Sequence, residues 1–163
     1  AAKLSGAVSI LVTEPSSRKR KIAIEKGADL AINPLETDPV KSALDMTNGR
    51  GFDTVFITVS GAQVLKEALL MCRRGGTVVE VAVFPGETPI ELWQVQNYER
   101  KLVGTNMYTA DDYEASIDFF TLGKIQFDSL ITCRVPLSES PEAIRALAAG
   151  ERPDDIKTVI LFE

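Results

Sequence analysis

An acid, Glu14, closes the apolar run VSILVT (8–13), and four consecutive bases follow it, Arg18 to Lys21. A carboxylate where a buried strand ends can accept hydrogen bonds from a pair of neighbouring hydroxyls, and it repels a phosphate placed on either of them. Guanidinium and ammonium groups do the reverse and hold a phosphate. Each feature also has a purely structural reading: the acid caps the following helix, and the bases are its solvated face. Bases near a helix N-terminus oppose the macrodipole, and Glu25, four residues after Lys21, offsets one of them. For the basic block three readings stand together: a wet face, one base touching a sugar, or a phosphate clamp.

Other chemistry is sparse. Histidine is absent, which excludes imidazole acid–base catalysis and any zinc site needing imidazole within this chain. Cys72 and Cys133 have no second thiol at metal-ligand spacing and read as reduced core residues. Asp111, Asp112, Glu139 and Glu142 read as helix-start acids rather than catalytic pairs, and Met46, Met71, Phe119 and Phe120 as core. Trp93, in a short polar segment, is a candidate for a domain or subunit contact. No residue is assigned a catalytic or metal-binding role.

The elements that must position Glu14 follow from pattern. VSILVT is short, apolar and β-branched, as in a strand buried on both faces. Ser16 or Ser17 caps the next helix and Gly27 ends it. DLAINP (29–34) is a second strand, and DPVKSALDMTNGRG a weaker helix. DTVFITVSG (53–61) is a third strand. Leu65, Ala68, Leu69 and Cys72 give the next helix its inner face, with Gly75-Gly76 as its stop. TVVEVAVFPG (77–86) is a fourth strand, LWQVQNYERK holds a short helix, and KLVGTN (101–106) is a fifth strand. ADDYEASIDFFTLGKI is an amphipathic helix with Asp111 as cap and Tyr113, Ile117 and Phe120 as its buried stripe. SPEAIRALAAG has Ser140 as cap and Pro141 in its first turn, and IKTVILF closes the chain as a strand. Alternating strands and helices predict an α/β fold with a doubly wound parallel sheet.

The chain has 163 residues, 45 % hydrophobic and 25 % charged, with a net charge of −5. This is a globular composition with a core of useful size. The acidic balance argues against a nucleic-acid partner, and no apolar run reaches the roughly eighteen residues that would span a bilayer. With reduced cysteines and no signal-peptide pattern, the reading is cytoplasmic. AAKLSGA at the start reads as the end of a helix with Gly6 as its C-cap, so the chain is expected to be part of a longer protein.

Ligands of such sheets bind beyond the C-terminal strand ends. After the strands come Glu14-Pro15-Ser16, Val59-Ser60-Gly61, Val83-Phe84-Pro85 and Asn106-Met107-Tyr108. Small and apolar residues with one acid suit a flat, ribose-bearing ligand, and Glu14 then accepts from the ribose hydroxyls. No G-x-G-x-x-G precedes it. The expected fold is therefore Rossmann-like but lacks its first strand and glycine-rich loop, with a gap between the 8–13 and 53–58 strands.

In order, VTEPSSRKRKIAIEKGADLAINP, GFDTVFITVSGAQVLKEALLMCRRGGTVVEVAVF, LVGTNMYTADDYEASIDFFTLGKI, LITCRVPLSESPEAIRALAAG and IKTVIL resemble the C-terminal, nucleotide-binding half of the zinc-type medium-chain alcohol dehydrogenases. The similarity is to the sorbitol and butanediol dehydrogenase-like branch. It implies a partial NAD(P)-binding domain over 1–163 with a return segment from about 108, and no catalytic zinc domain. It implies that Glu14 binds the adenosine ribose, that Pro15 lies on the adenine, and that Lys19 stands near that ribose. Val59 and Ser60 would wall the adenine. The backbone of Val81, Ala82 and Val83 would hold the nicotinamide amide, Met107 and Tyr108 would close over the nicotinamide, and Lys157 would reach the pyrophosphate.

The implied function is the cofactor-binding part of an NAD-linked enzyme oxidising a small alcohol or polyol, with NADP less suited. Zinc would belong to the missing domain only, and a homo-oligomer would form through the 101–106 edge strand. Without the phosphate loop, the isolated chain is expected to bind NAD weakly or not at all and to be inactive alone. The alternative is a stand-alone, degenerate module for dimerisation or small-ligand binding.

Overall fold

The structure is a computed structural model and describes residues 1–124 and 127–162. Ile125, the last residue of the amphipathic stretch quoted above, lies outside them. The chain divides into two compact units, one joining residues 1–34 to 109–163, the other formed by 35–108. The first 34 residues thus group with the C-terminal stretch.

In the first unit, β1 (Leu11–Thr13), α1 (Ser17–Glu25) and β2 (Leu30–Ile32) make a βαβ motif, with Leu11 opposite Leu30 and Thr13 opposite Ile32 in a parallel ladder. Both strands are shorter than their apolar runs, because pairing begins only where the Ile10 oxygen accepts from the amides of Asp29 and Leu30. Ser16 is the α1 cap: its backbone is extended and its Oγ accepts from the Lys19 amide. Gly27, at φ +102°, ends the helix, with Ala28 N donating to Ala23 O and Gly27 N to Ile24 O, both at 3.0 Å. A left-handed residue there closes two otherwise unpaired carbonyls. The same pair of bonds recurs at Gly6, so AAKLSGA has the geometry of a last helical turn.

Helix α5 (Ala110–Thr121) departs from expectation twice. Its cap is Thr109, not Asp111: Thr109 and Asp112 form a reciprocal capping box that satisfies two amides. Its apolar stripe is not buried. Tyr113, Ile117 and Phe120 are 57 %, 59 % and 57 % exposed. The 3.6-residue period marks a face, but no described residue packs over it enough to bury it. Strand β6 (Ile131–Pro136), not recognised in the sequence, lies between short 3-10 turns at Asp128–Leu130 and Leu137–Glu139. With α6 (Ser140–Ala148) and β7 (Lys157–Leu161) it completes a second parallel βαβ motif. The Ser140 hydroxyl donates to Leu137 O at 2.7 Å instead of capping α6. Cys133 is only half-buried, and its Sγ accepts from Arg152 Nη1 at 3.2 Å, so it is not the core residue expected.

In the second unit, α2 (Pro39–Met46) is capped by Asp38 and precedes a three-stranded parallel sheet, β3 (Phe52–Ile57), β4 (Cys72–Glu80) and β5 (Lys101–Gly104), in that spatial order. Helix α3 (Ala62–Met71) connects β3 to β4, and α4 (Leu92–Gln96) connects β4 to β5. The fourth strand lies earlier than the expected 77–86. Cys72 turns extended at the end of α3 and pairs with Phe52, and the register then shifts so that Thr54 faces Thr77. Gly75-Gly76 is therefore a bulge rather than a helix stop. A Cβ on Gly76 would come within 2.6 Å of Cys72 Sγ, which is why that position takes no side chain.

Ile57, Leu69, Cys72 and Val78 form the centre of this unit's core, each buried to within 2 %. Burial pushes the Cys72 thiol up from its ordinary value. Arg100 is buried against it, donating Nε to Cys72 O at 3.0 Å and Nη1 to Gln94 O and Oε1 at 3.2 Å, with its guanidinium 4.2 Å over the Tyr98 ring. A buried cation persists here because its donors are engaged. All strand pairs are parallel and alternate with helices, the Rossmann-type α/β class expected. Among the described residues the strands form three separately hydrogen-bonded sheets, β1–β2, β3–β4–β5 and β6–β7. No helix among the described residues is long and apolar enough to cross a membrane.

Candidate nucleotide-binding site

Glu14 and Pro15 lie in the turn between β1 and α1, and Lys19, in the first turn of α1, is tied to that turn through Ser16 Oγ. Glu14 N donates to Ile32 O at 2.9 Å and so continues the ladder past the strand end. Its carboxylate then folds over the turn, with Oε1 accepting from Ser16 N at 2.8 Å. One oxygen is tied down and Oε2 is left to accept from a ligand. The capping reading of Glu14 is thus partly realised without using up the acid. Ser16 Oγ accepts from Lys19 N at 3.1 Å and donates to Asp154 Oδ1 at 2.5 Å.

The basic block resolves by residue. Arg20 curls back and donates Nη1 to the main-chain oxygens of Glu14 and Pro15 at 2.8 and 2.6 Å. It is neither a solvated base nor a clamp but a brace beneath the turn. Arg18 and Lys21 are exposed and Lys19 is half-buried. Lys157 lies apart from this turn in sequence, as the first residue of β7, paired with Ile131 and exposed.

The second unit carries the remaining candidates on one sheet edge. Ile57, Glu80 and Gly104 stand side by side at the ends of β3, β4 and β5. Residues 59–60, 81–83 and 107–108 therefore leave the sheet from the same edge. The amides of Val81 and Ala82 both donate to Ile57 O, at 2.9 and 3.0 Å. That leaves the Val83 amide and the carbonyls as the backbone groups for a ligand. Val59, Val83, Met107 and Tyr108 expose their side chains, Val83 to 87 %, while Ala82 packs on the core. Exposed apolar groups gathered on one edge suit a flat ring system. Met107 has φ +60°, a left-handed conformation that it shares with Asn48 and Glu99 and that costs a non-glycine residue about 1 kcal/mol or more.

No nucleophile–base pair occurs among these residues. Zinc does not fit: the chain has no histidine, and among the described residues no three of Cys, Asp and Glu converge as metal ligands. In the first unit the Glu14 carboxylate can accept from paired hydroxyls; in the second, the apolar strand ends can lie against a ring. Two cavities lie elsewhere. One of about 260 Å³ lies between α3 and residues 89–94. A shallow depression of about 410 Å³ is lined by Cys133, Arg152 and Asp154 among others. Neither is lined by a cofactor-site residue expected from the sequence. The residues missed were Arg20 and Asp154. Arg20 was hidden among like charges, and nothing near Asp154 in sequence signals its contact with Ser16.

Comparison with known proteins identifies the relatives. The family profile described as zinc-binding dehydrogenase matches residues 1–121. The L-threonine 3-dehydrogenase of Thermococcus kodakarensis is 33 % identical over 154 residues, covering 92 % of this chain and 44 % of that protein. The sorbitol dehydrogenase of Bacillus subtilis is 31 % identical, covering 90 % of this chain and 42 % of that protein. The crystal structure of the 2R,3R-butanediol dehydrogenase of Bacillus subtilis superposes with a TM-score of 0.89 at 25 % identity, covering 100 % of this chain and 46 % of that one. The chain spans about half the length of the curated relatives it matches. By its profile match and these relatives, the chain belongs to the zinc-binding dehydrogenase family, matching their nucleotide-binding half.

Proposed function

We propose that this chain is the cofactor-binding portion of an NAD-linked dehydrogenase of small alcohols or polyols. The observation that carries this reading is the Glu14 carboxylate, held at the end of β1 by Ser16 N with Oε2 open. An acceptor so placed receives the 2′- and 3′-hydroxyls of an adenosine ribose, and its charge repels a 2′-phosphate. Arg20, the base nearest the turn, spends Nη1 on carbonyls, which supports NAD over NADP.

Pro15 is proposed to lie on the adenine, Lys19 near its ribose, and Lys157 at the pyrophosphate. On the other unit, Val59 and Ser60 are proposed beside the adenine. Val81, Ala82 and Val83 are proposed to hold the carboxamide through the backbone groups still open, and Met107 and Tyr108 to cover the nicotinamide. The bound dinucleotide supplies hydride acceptance; the residues of this chain orient and desolvate it. The substrate class is proposed from the relatives' names, L-threonine, sorbitol and 2R,3R-butanediol, all compounds with a secondary alcohol. Self-association is proposed at the outer edge of β5, whose four residues are all exposed. An unpaired parallel edge invites a second strand. The experiment for the cofactor reading is the effect of Glu14→Ala on NAD⁺ against NADP⁺ affinity.

A further inference from the structure

We propose that Asp154 is a positioning residue for the Glu14 turn, acting through Ser16 and so setting the affinity for NAD; this rests on Glu14 as the ribose acceptor. Ser16 is the junction of the turn. Its amide holds Glu14 Oε1, its hydroxyl oxygen accepts from Lys19 N, and its one hydroxyl proton goes to Asp154 Oδ1 at 2.5 Å. The direction of that proton decides where the remaining lone pairs point. With Asp154 in place, they face the Lys19 amide and the cap forms.

Asp154 is 138 residues from Ser16 in sequence and comes from the loop between α6 and β7. That loop is built. Ile156 N donates to Thr132 Oγ1 at 2.9 Å, Arg152 Nη1 donates to Cys133 Sγ at 3.2 Å, and Arg152 lies 3.7 Å from Asp155. The contact therefore joins the β1–β2 sheet to the β6–β7 sheet within one unit, three residues before Lys157. It also brings a second carboxylate to the start of a helix whose first turn holds three bases, Arg18, Lys19 and Arg20, and no acid. There it favours the macrodipole and adds to the charge that opposes a 2′-phosphate.

The test uses the full-length protein with Glu14→Gln, Asp154→Ala and Asp154→Asn, reading KM for NAD⁺, kcat and amide exchange at Lys19. Asparagine keeps an acceptor oxygen and loses the charge. Asp154→Ala is expected to raise KM for NAD⁺ about fivefold with kcat held, and to speed Lys19 exchange about tenfold, with Asp154→Asn recovering most of both. If Asp154→Ala fails to fold, Asp154→Asn decides by the Lys19 exchange rate, which must stay within about threefold of wild type. A raised KM in Glu14→Gln with none in Asp154→Ala overturns the role of Asp154 and leaves Glu14 standing. Equal losses in the alanine and asparagine variants overturn positioning by hydrogen bonding. An unchanged KM in all three removes Glu14 from the site and Asp154 with it.

Discussion

The guanidinium of Arg20 donates Nη1 to the main-chain oxygen of Glu14 at 2.8 Å, and the same nitrogen reaches the oxygen of Pro15. A base six residues downstream thereby holds the carbonyls of a strand end whose carboxylate is the candidate ligand acceptor. Arg20→Lys is predicted to fail as a replacement, because the guanidinium fixes the two N–H bonds of Nη1 in one plane at the end of a longer side chain, whereas an ammonium is shorter and rotates freely. Steady-state kinetics of the full-length protein should show a KM for NAD⁺ raised about fivefold in both Arg20→Lys and Arg20→Ala. A selective loss of NADP⁺ use in Arg20→Ala would return this base to the role of phosphate clamp.

The start of α5 carries a pH prediction. The Asp112 carboxylate accepts from Thr109 N at 2.7 Å and from Thr109 Oγ1 at 2.9 Å. The backbone bond is the larger cause, and together they hold the acid below its ordinary value of 3.8. A depressed folded pKa means that the unfolded chain binds its proton first as pH falls. The capping contribution is therefore complete above about pH 4 to 5 and is lost as pH drops through the lower folded value. Amide exchange at Thr109, followed with the carboxyl carbon shift of Asp112, should stay protected at pH 5 and open only in stronger acid. Opening between pH 5 and 6 would show that the capping box is not held by the charge.

Much of the first unit's architecture was legible because its signals are local. The Ser16 cap, the glycine endings at Gly6 and Gly27, and the apolar strands are each decided within a few residues. What failed was decided elsewhere. Gly75-Gly76 has the composition of a helix stop, yet Cys72 already pairs with Phe52 across the sheet, a partner that local pattern does not reveal. The stripe of Tyr113, Ile117 and Phe120 shows which face of α5 is apolar but not whether anything lies against it. Asp111 was preferred as the α5 cap because an acid suits a helix start, but Thr109 has the extended backbone a cap needs. At the site, Glu14 was visible as an acid closing an apolar strand. Arg20 and Asp154 act through geometry that no spacing rule encodes.

The outer edge of β5 gives a prediction about assembly. Leu102 and Val103 are partly exposed on a strand whose ladder, among the described residues, runs to β4 alone. Replacing both with glutamate places like charges on facing strands of any edge-to-edge pair, which is destabilising. Sedimentation velocity of the full-length protein should then show the assembled species replaced by a smaller one. An unchanged sedimentation coefficient in the double variant would move self-association to another surface.

The most direct measurement is calorimetric titration of the full-length protein with NAD⁺ and NADP⁺, before and after Glu14→Ala. Losing a charged acceptor of two hydroxyl hydrogen bonds should weaken NAD⁺ by about tenfold to a hundredfold. NADP⁺ affinity should hold or improve as the repulsion of the 2′-phosphate disappears, so the ratio of the two affinities shifts toward NADP⁺. A Glu14→Ala protein that keeps both its NAD⁺ affinity and its preference would contradict the assignment of the β1 strand end as the ribose site.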